Sequence, residues 1–386
     1  MSEQPEEIRA EGAAGGDDVL TPSETEEPEP SPRRGLYLTP KQAFIGLAIA
    51  LLLLLIGLLA YVYFLLQPRA LGQRGGAVSE GIQPLFTVEG PGKGAQPTFN
   101  RPLGVAFGDG GRIYVADTGN NRICVFDSNG GYLKEWGGFG VAKPAPGGTY
   151  SWKPGKLNFP AGIATDTRGD VYVADFRNDC VEVFDAEGKW LRRFPDPAKP
   201  VGRGSSGQDG RGIAVTAVAV KGGRVYATDT YQVFVFTTDG KLLSQFGKPG
   251  RGSGDLDHPN GIAVAEDGTI YVSDSNHARV TAFTADGKPK WNAGRIPASM
   301  NDTSPSTFQL PRGIALTLGG DTIVVDVFAF GLVRLSPAGK IVARYGTRGV
   351  APGEFNFPNS VSMAGNTLAV ADKENDRVQV LRLVKR

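Results

Sequence analysis

Six times along this chain a short apolar run ends in an aspartate. The runs are Ile113-Tyr-Val-Ala-Asp117, Val171-Tyr-Val-Ala-Asp175, Val225-Tyr-Ala-Thr-Asp229, Ile270-Tyr-Val-Ser-Asp274, Thr322-Ile-Val-Val-Asp326 and Leu368-Ala-Val-Ala-Asp372. Successive aspartates lie 58, 54, 45, 52 and 46 residues apart. A periodic echo on this scale means one structural unit used repeatedly, and it decides the fold before any single residue is interpreted.

The rest of the unit recurs around each aspartate. About fifteen residues earlier stands a Pro-x-Gly or its relic: Pro102-Leu-Gly104, Pro160-Ala-Gly162, Pro259-Asn-Gly261, Pro311-Arg-Gly313 and Pro358-Asn-Ser360, with Val215-Thr-Ala217 the most eroded copy. An apolar run follows, then a turn pair such as Asp109-Gly110 or Gly222-Gly223, a strong hairpin signal because the tight turn needs positive φ. After the aspartate come a third run, a second glycine turn (Gly130, Gly188, Gly240, Gly287, Gly339) and a fourth run often ending in an aromatic: Trp136, Phe194, Phe246, Tyr345. Four short antiparallel strands per unit cannot bury both faces alone, so the units must stack. Radially stacked four-stranded sheets form a β-propeller, here all-β with six blades. The sixth unit ends after its third strand. Leu85-Phe-Thr-Val-Glu-Gly90 precedes the first Pro-x-Gly as a fourth strand would, so residues 82–90 are expected to complete the last blade and close the ring, leaving no free edge.

Upstream the composition changes. Residues 1–42 carry ten acidic and four basic residues with six prolines, a stretch expected to be disordered because it has too little apolar area to offset ordering. Residues 43–66 contain no charge and are long enough as a helix to cross a bilayer. That core is too long and too far from the N-terminus for a cleaved signal peptide, so a transmembrane signal-anchor is expected, followed by a linker over 67–81 and the propeller over 82–386. Arg33, Arg34 and Lys41 against Arg69 and Arg74 favour a cytoplasmic N-terminus, which makes the chain a single-pass cell-membrane protein with the propeller outside the cytoplasm. Residues 67–386 hold 37 basic against 30 acidic residues, a charge suited to acidic ligands or anionic surfaces as well as to solubility. Cys124 and Cys180 fall on adjacent repeats and are not expected to bridge.

Gly111-Arg-Ile-Tyr-Val-Ala-Asp-Thr-Gly-Asn-Asn-Arg-Ile-Cys-Val-Phe126 resembles the NHL repeat, as do Asp274-Ser-Asn-His-Ala-Arg279 and Asp372-Lys-Glu-Asn-Asp-Arg377. The resemblance covers about residues 82–386. It implies a six-bladed propeller and no single activity, since such propellers serve as extracellular sensor domains, amidating lyases, lactonase-like enzymes and RNA- or protein-binding modules. The recurrent aspartates are expected to be structural, capping the turn between second and third strands, with Arg122, Arg279 and Arg377 as partners.

No catalytic set and no metal site emerges. Two histidines, His258 and His277, and two cysteines cannot fill a zinc-lyase pattern, and no cofactor is expected. A carboxylate calcium site stays open without an Asp-rich loop to announce it. Gly202-Arg-Gly-Ser-Ser-Gly207 lacks the strand–helix context of a dinucleotide site. The irregular loops are the informative part, because function concentrates on variable loops of a rigid scaffold. Tyr150, Trp152, Lys153, Arg177, Arg211, Tyr231, His277, Phe328 and Phe330 are the expected ligand-binding residues: aromatics and cations favour binding hot spots. The expectation is a membrane-anchored recognition module for a protein, peptide or glycan, attached through residues 43–66, with nucleic acid not the expected partner. The alternative is a metal-dependent lactonase- or lyase-like enzyme with its site at the central channel.

Overall fold

The structure, a computed structural model, describes residues 39–66, 80–92, 99–145, 149–196, 201, 213–295 and 307–385. Most of the acidic tail and of the linker, the Gly202–Gly207 motif and Arg211 lie outside the described residues. Two units are present, Met1–Gln67 and Pro68–Arg386.

Among the described residues the first unit contains one helix, Pro40–Leu66. It starts three residues before the uncharged stretch for a local reason. Thr39 Oγ1 accepts the Gln42 N–H (3.3 Å) while Gln42 Oε1 accepts the Thr39 N–H (3.0 Å), a reciprocal cap with Pro40 at the first helical position. The 27 residues span about 40 Å. Their leucines and isoleucines are exposed on every side within the unit, from Phe44 to Leu59. It is one helix long and apolar enough to cross a membrane.

The second unit is a ring of six four-stranded antiparallel sheets. Blade 1 runs Gly104–Phe107, Ile113–Asp117, Arg122–Phe126, Tyr132–Gly137; blade 2 runs Pro160–Thr165, Val171–Asp175, Cys180–Phe184, Trp190–Phe194. Blade 3 runs Ala217–Lys221, Arg224–Thr228, Val233–Thr237, Leu242–Phe246; blade 4 runs Pro259–Val264, Ile270–Asp274, Arg279–Phe283, Pro289–Gly294. Blade 5 runs Pro311–Leu316, Thr322–Asp326, Gly331–Leu335, Ile341–Tyr345. Blade 6 takes Pro358–Ala364, Thr367–Asp372 and Arg377–Lys385 from the C-terminus and its outer strand, Glu80–Val88, from the other end of the unit. That strand pairs from Glu80 with Lys385 to Val88 with Val378. The closing strand anticipated over 82–90 is thus in place, starting two residues earlier.

The second strands are almost entirely buried because neighbouring blades cover both faces. Residues Ile113–Asp117, Val171–Asp175, Ile270–Asp274 and Thr322–Asp326 are wholly buried. The core divides into six clusters, each shared by two adjacent blades; one joins Val88, Val378 and Val380 of blade 6 to Val105, Val115 and Phe126 of blade 1. The glycine of each turn between third and fourth strands lets the preceding blade's outer aromatic approach. Gly188 has φ +86°, and a Cβ there would lie 2.5 Å from Trp136 Cε3. Gly130 stands in the same relation to Phe86 (3.0 Å), which seals the junction between the last blade and the first. Cys124 and Cys180 are buried and free.

Candidate functional site

The recurrent aspartates organise one face of the ring. In five blades Oδ1 accepts the N–H of the residue two before the inner-strand proline: Asn100 to Asp117 (2.7 Å), Asn158 to Asp175 (2.7 Å), Asp257 to Asp274 (2.8 Å), Gln309 to Asp326 (3.2 Å) and Asn356 to Asp372 (2.6 Å). In four of them Oδ2 takes the residue three further on: Asn120 (2.8 Å), Asn178 (2.7 Å), His277 (2.8 Å) and Asn375 (2.8 Å). Arg122, Arg279 and Arg377 add Nε at 2.8 Å in their own blades. The carboxylate therefore ties the loop that leads into the blade to the loop after the second strand. It does more than cap its own turn; Asp229 caps its turn through the N–H groups of Tyr231 and Gln232 (3.0 Å each). Burial pushes the carboxyls of Asp117, Asp175, Asp274 and Asp326 up in pKa, against the pull of their N–H donors.

In two of the three blades whose third strand lacks this Arg, the fourth strand supplies one. Cys180 and Gly331 occupy the arginine position in blades 2 and 5. Arg193, paired opposite Glu182, and Arg344, paired opposite Val333, act on Asp175 and Asp326 from equivalent register positions. Asp175, Cys180 and Glu182 form a buried trio close enough to hold an ion. The cation beside them is Arg193, whose Nε lies 3.9 Å from Glu182 Oε1, and Trp190 Nε1 donates to Glu182 Oε2. Burial raises Glu182 to about 7.

The loops carrying these contacts surround one end of the central channel. The residue just before the inner-strand proline is left-handed in four blades: Arg101 (φ +50°), Phe159 (+64°), His258 (+52°) and Phe357 (+50°). None is glycine, and proline restricts its predecessor further, so each costs on the order of 1–3 kcal/mol. In three of them the turned N–H reaches the preceding blade: Arg101 to Asp376 Oδ1 (2.7 Å), Phe159 to Asn121 Oδ1 (2.8 Å), His258 to Thr230 O (2.7 Å).

These four residues anchor an aromatic and basic rim. Phe159 meets Phe176 (5.9 Å between centroids) and carries the Arg177 guanidinium at 4.8 Å. His258 meets Tyr231 edge-on at 6.0 Å. Phe357 packs with Phe330 (5.0 Å) and Phe328 (6.1 Å), with Lys373 Nζ 6.0 Å from its ring. Arg101 pairs with Glu374 at 3.3 Å and stays largely exposed.

Of the expected binding residues, Arg177, Tyr231 and Phe328 fall on this rim; Phe328 is 41% exposed. Phe330 is beneath it, 4% exposed between Phe357 and Arg348, where a left-handed backbone turns its ring inward. His277 is also internal: it stands where other blades use asparagine and its ring nitrogen serves Asp274. Trp152 is half-buried under the Arg193 guanidinium (5.0 Å), towards the outer edge of blade 2, and fastens the insertion that contains the strands Lys143–Ala145 and Thr149–Ser151. Lys153 is exposed on that insertion; the Tyr150 side chain and Arg211 lie outside the described residues. Sequence reasoning passed over Arg101, Phe159, His258 and Phe357. Their shared signal is the place immediately before the Pro-x-Gly, which varies in residue type and so hid behind the repeat.

The channel, about 260 Å³, is lined by all six inner strands. Its polar side chains are amides and hydroxyls, among them Asn260, Asn359, Thr165, Thr216, Ser360 and Ser362, with no imidazole or carboxylate among the lining residues.

Three segments, 99–126, 157–184 and 256–283, match the NHL repeat model. They correspond to blades 1, 2 and 4, from the leading loop to the third strand. The chain is 27% identical over 145 residues to the protein brain tumor of Drosophila melanogaster, covering 36% of this chain and 13% of that protein. It is 27% identical over 187 residues to peptidyl-glycine alpha-amidating monooxygenase A of Xenopus laevis, covering 45% of this chain and 18% of that one. The chain thus spans under a fifth of these relatives. Among solved structures, a Bacteroides thetaiotaomicron protein of unknown function superposes with TM-score 0.57 at 17% identity, covering 79% of this chain and 76% of that one. Virginiamycin B lyase from Staphylococcus aureus superposes with TM-score 0.52 at 15% identity, covering 79% and 100%. At such identities the likeness is one of fold. The chain carries NHL repeats, and they are built into a six-bladed β-propeller.

Proposed function

We propose that this chain is a membrane-anchored recognition module. Residues 40–66 hold it in the cell membrane with the N-terminus cytoplasmic, and the propeller's loop face binds a protein, peptide or glycan outside. The observation that carries this reading is the rim. Aromatic rings and cations surround the channel mouth at Phe159–Arg177, Tyr231–His258 and Phe328–Phe357–Lys373, on backbone held in left-handed conformations. Strained non-glycine residues concentrate where a surface serves a ligand, and exposed aromatics with arginine supply hot-spot contacts. The metal-dependent lyase or lactonase alternative has less support, because the channel lining offers neither an imidazole for zinc nor a carboxylate to balance a divalent charge beside its amide and hydroxyl oxygens.

The test is affinity capture from intact cells with the full chain against an Arg101→Ala/Arg177→Ala/Phe328→Ala variant. These side chains are exposed, so the fold should survive. Captured species that persist with the native rim and fall at least tenfold with the variant support the reading. Identical capture by both chains refutes it.

A further inference from the structure

Every inner strand that opens on Pro-x-Gly or Pro-x-Ser with a resolved register carries a bulge there. Pro160 pairs with Asp175 and Gly162 with Ala174, which leaves Ala161 outside the ladder. The same slip frees Asn260 in blade 4 and Asn359 in blade 6, and in blade 5 it frees Arg312 and Gly313. A bulge re-aims its extra side chain. Here Ala161, Asn260 and Asn359 line the channel. In blade 5 the residue at this place is an arginine.

Arg312 differs from the other inward-set arginines. Arg377 has Asp372 and the carbonyls of Val350, Ala351 and Glu354; Arg279 has Asp274 and the carbonyls of Gly252 and Asp255. Arg312 makes one hydrogen bond, from Nη1 to Asn359 Oδ1 (2.9 Å), which brings its guanidinium to a channel-lining side chain. Its Nε is buried without an acceptor. No carboxylate pairs with it among the described residues, and burial alone acts on its charge, lowering its pKa. An arginine stays protonated, so a desolvated guanidinium without a counter-charge is costly unless an anion completes it.

We propose that Arg312, held by Asn359, forms an anion subsite at the loop-face end of the channel, and that its ligand is a carboxylate. One guanidinium supplies one positive charge and a planar fork, which match a carboxylate's single charge and two oxygens. A phosphate dianion needs a second cation, and Arg312, which reaches the channel lining through Asn359, has no Lys or Arg among the lining residues to join it. The subsite does not depend on what the outer rim binds.

The test uses the full chain in detergent, with thermal unfolding followed by tryptophan fluorescence in chloride, acetate and phosphate at matched ionic strength. Acetate should raise the midpoint of the native chain by about 2 °C over chloride. Arg312→Met should lose that shift and melt no lower than the native chain in chloride, because a costly unpaired charge is gone. Line broadening of carbon-13 acetate gives a second readout, which the native chain should produce and Arg312→Lys, keeping charge without the fork, should lose at least threefold. This arm decides if Arg312→Met does not fold. No acetate shift in the native chain, equal broadening by Arg312→Lys, or a phosphate effect exceeding that of acetate would overturn the proposal.

Discussion

The account of the recurrent aspartates predicts that they are unequal, and Asp274 against Asp229 is the sharpest contrast. Asp274 is fully buried; its Oδ2 faces Arg279 Nε at 2.8 Å and the His277 ring nitrogen at 2.8 Å, with both partners' side chains only 5–6% exposed. Asp274→Asn keeps the shape but removes the charge and turns an amide donor or a neutral oxygen towards two donors. Leaving Arg279 buried without its counter-charge costs about 3–5 kcal/mol. Asp229 accepts two backbone N–H groups of its own turn, and blade 3 has Gln232 where blade 4 has Arg279. Asp229→Asn retains an acceptor for them and should cost about 1 kcal/mol. Urea unfolding of the detergent-solubilised chain, read by its four tryptophans, measures both. Adding Arg279→Met to Asp274→Asn should restore more than half of the loss, since removing both charges leaves no orphan. Equal losses for the two aspartates, or no recovery in the double variant, would refute the assignment of Asp274 as a buried ionic clamp.

Three further outcomes follow from the packing. Glu182 is held at about 7 against an ordinary 4.5, so the folded chain binds the extra proton and stability falls as pH rises from about 4.5 to 7. Relative to Glu182→Gln, the native chain should lose up to about 3 kcal/mol across that window in urea melts at pH 4.5 and 8. Gly188→Ala, which drives a Cβ into Trp136 at positive φ, should cost about 3 kcal/mol, whereas Gly222→Ala, also at positive φ with open space around it, should cost about 1 kcal/mol. Val88→Asp places a charge in the junction between the last and first blades, and size-exclusion chromatography should show aggregation from the freed edge of Arg377–Lys385.

The architecture was legible because the repeat states its own strand count. Turn glycines, outer aromatics and the orphaned third strand at the C-terminus together required six blades and a closing strand from the far end. The site was legible only in part. Arg177, Tyr231 and Phe328, singled out as aromatics and cations on loops, do lie on the rim. His277 and Phe330 share that composition yet face inward, since a left-handed residue at the end of the loop reverses the chain; composition does not register that reversal. Arg101, Phe159, His258 and Phe357 were missed for the converse reason. A residue before proline reads as extended backbone, and only the hydrogen bond to the neighbouring blade shows why Arg101, Phe159 and His258 adopt positive φ. The compensation of Cys180 by Arg193 is likewise invisible until strand register puts position 193 opposite 182.

The central claim is that recognition occurs on the loop face around the channel mouth. Site-specific photo-crosslinking in intact cells tests it most directly, with the probe placed at Phe328 or Arg177 on the rim and at Glu266 or Lys288 in turns of the opposite face. The account predicts a discrete crosslinked partner from the two rim positions and none from the other two. A partner captured equally from both faces, or from Glu266 and Lys288 alone, would contradict it.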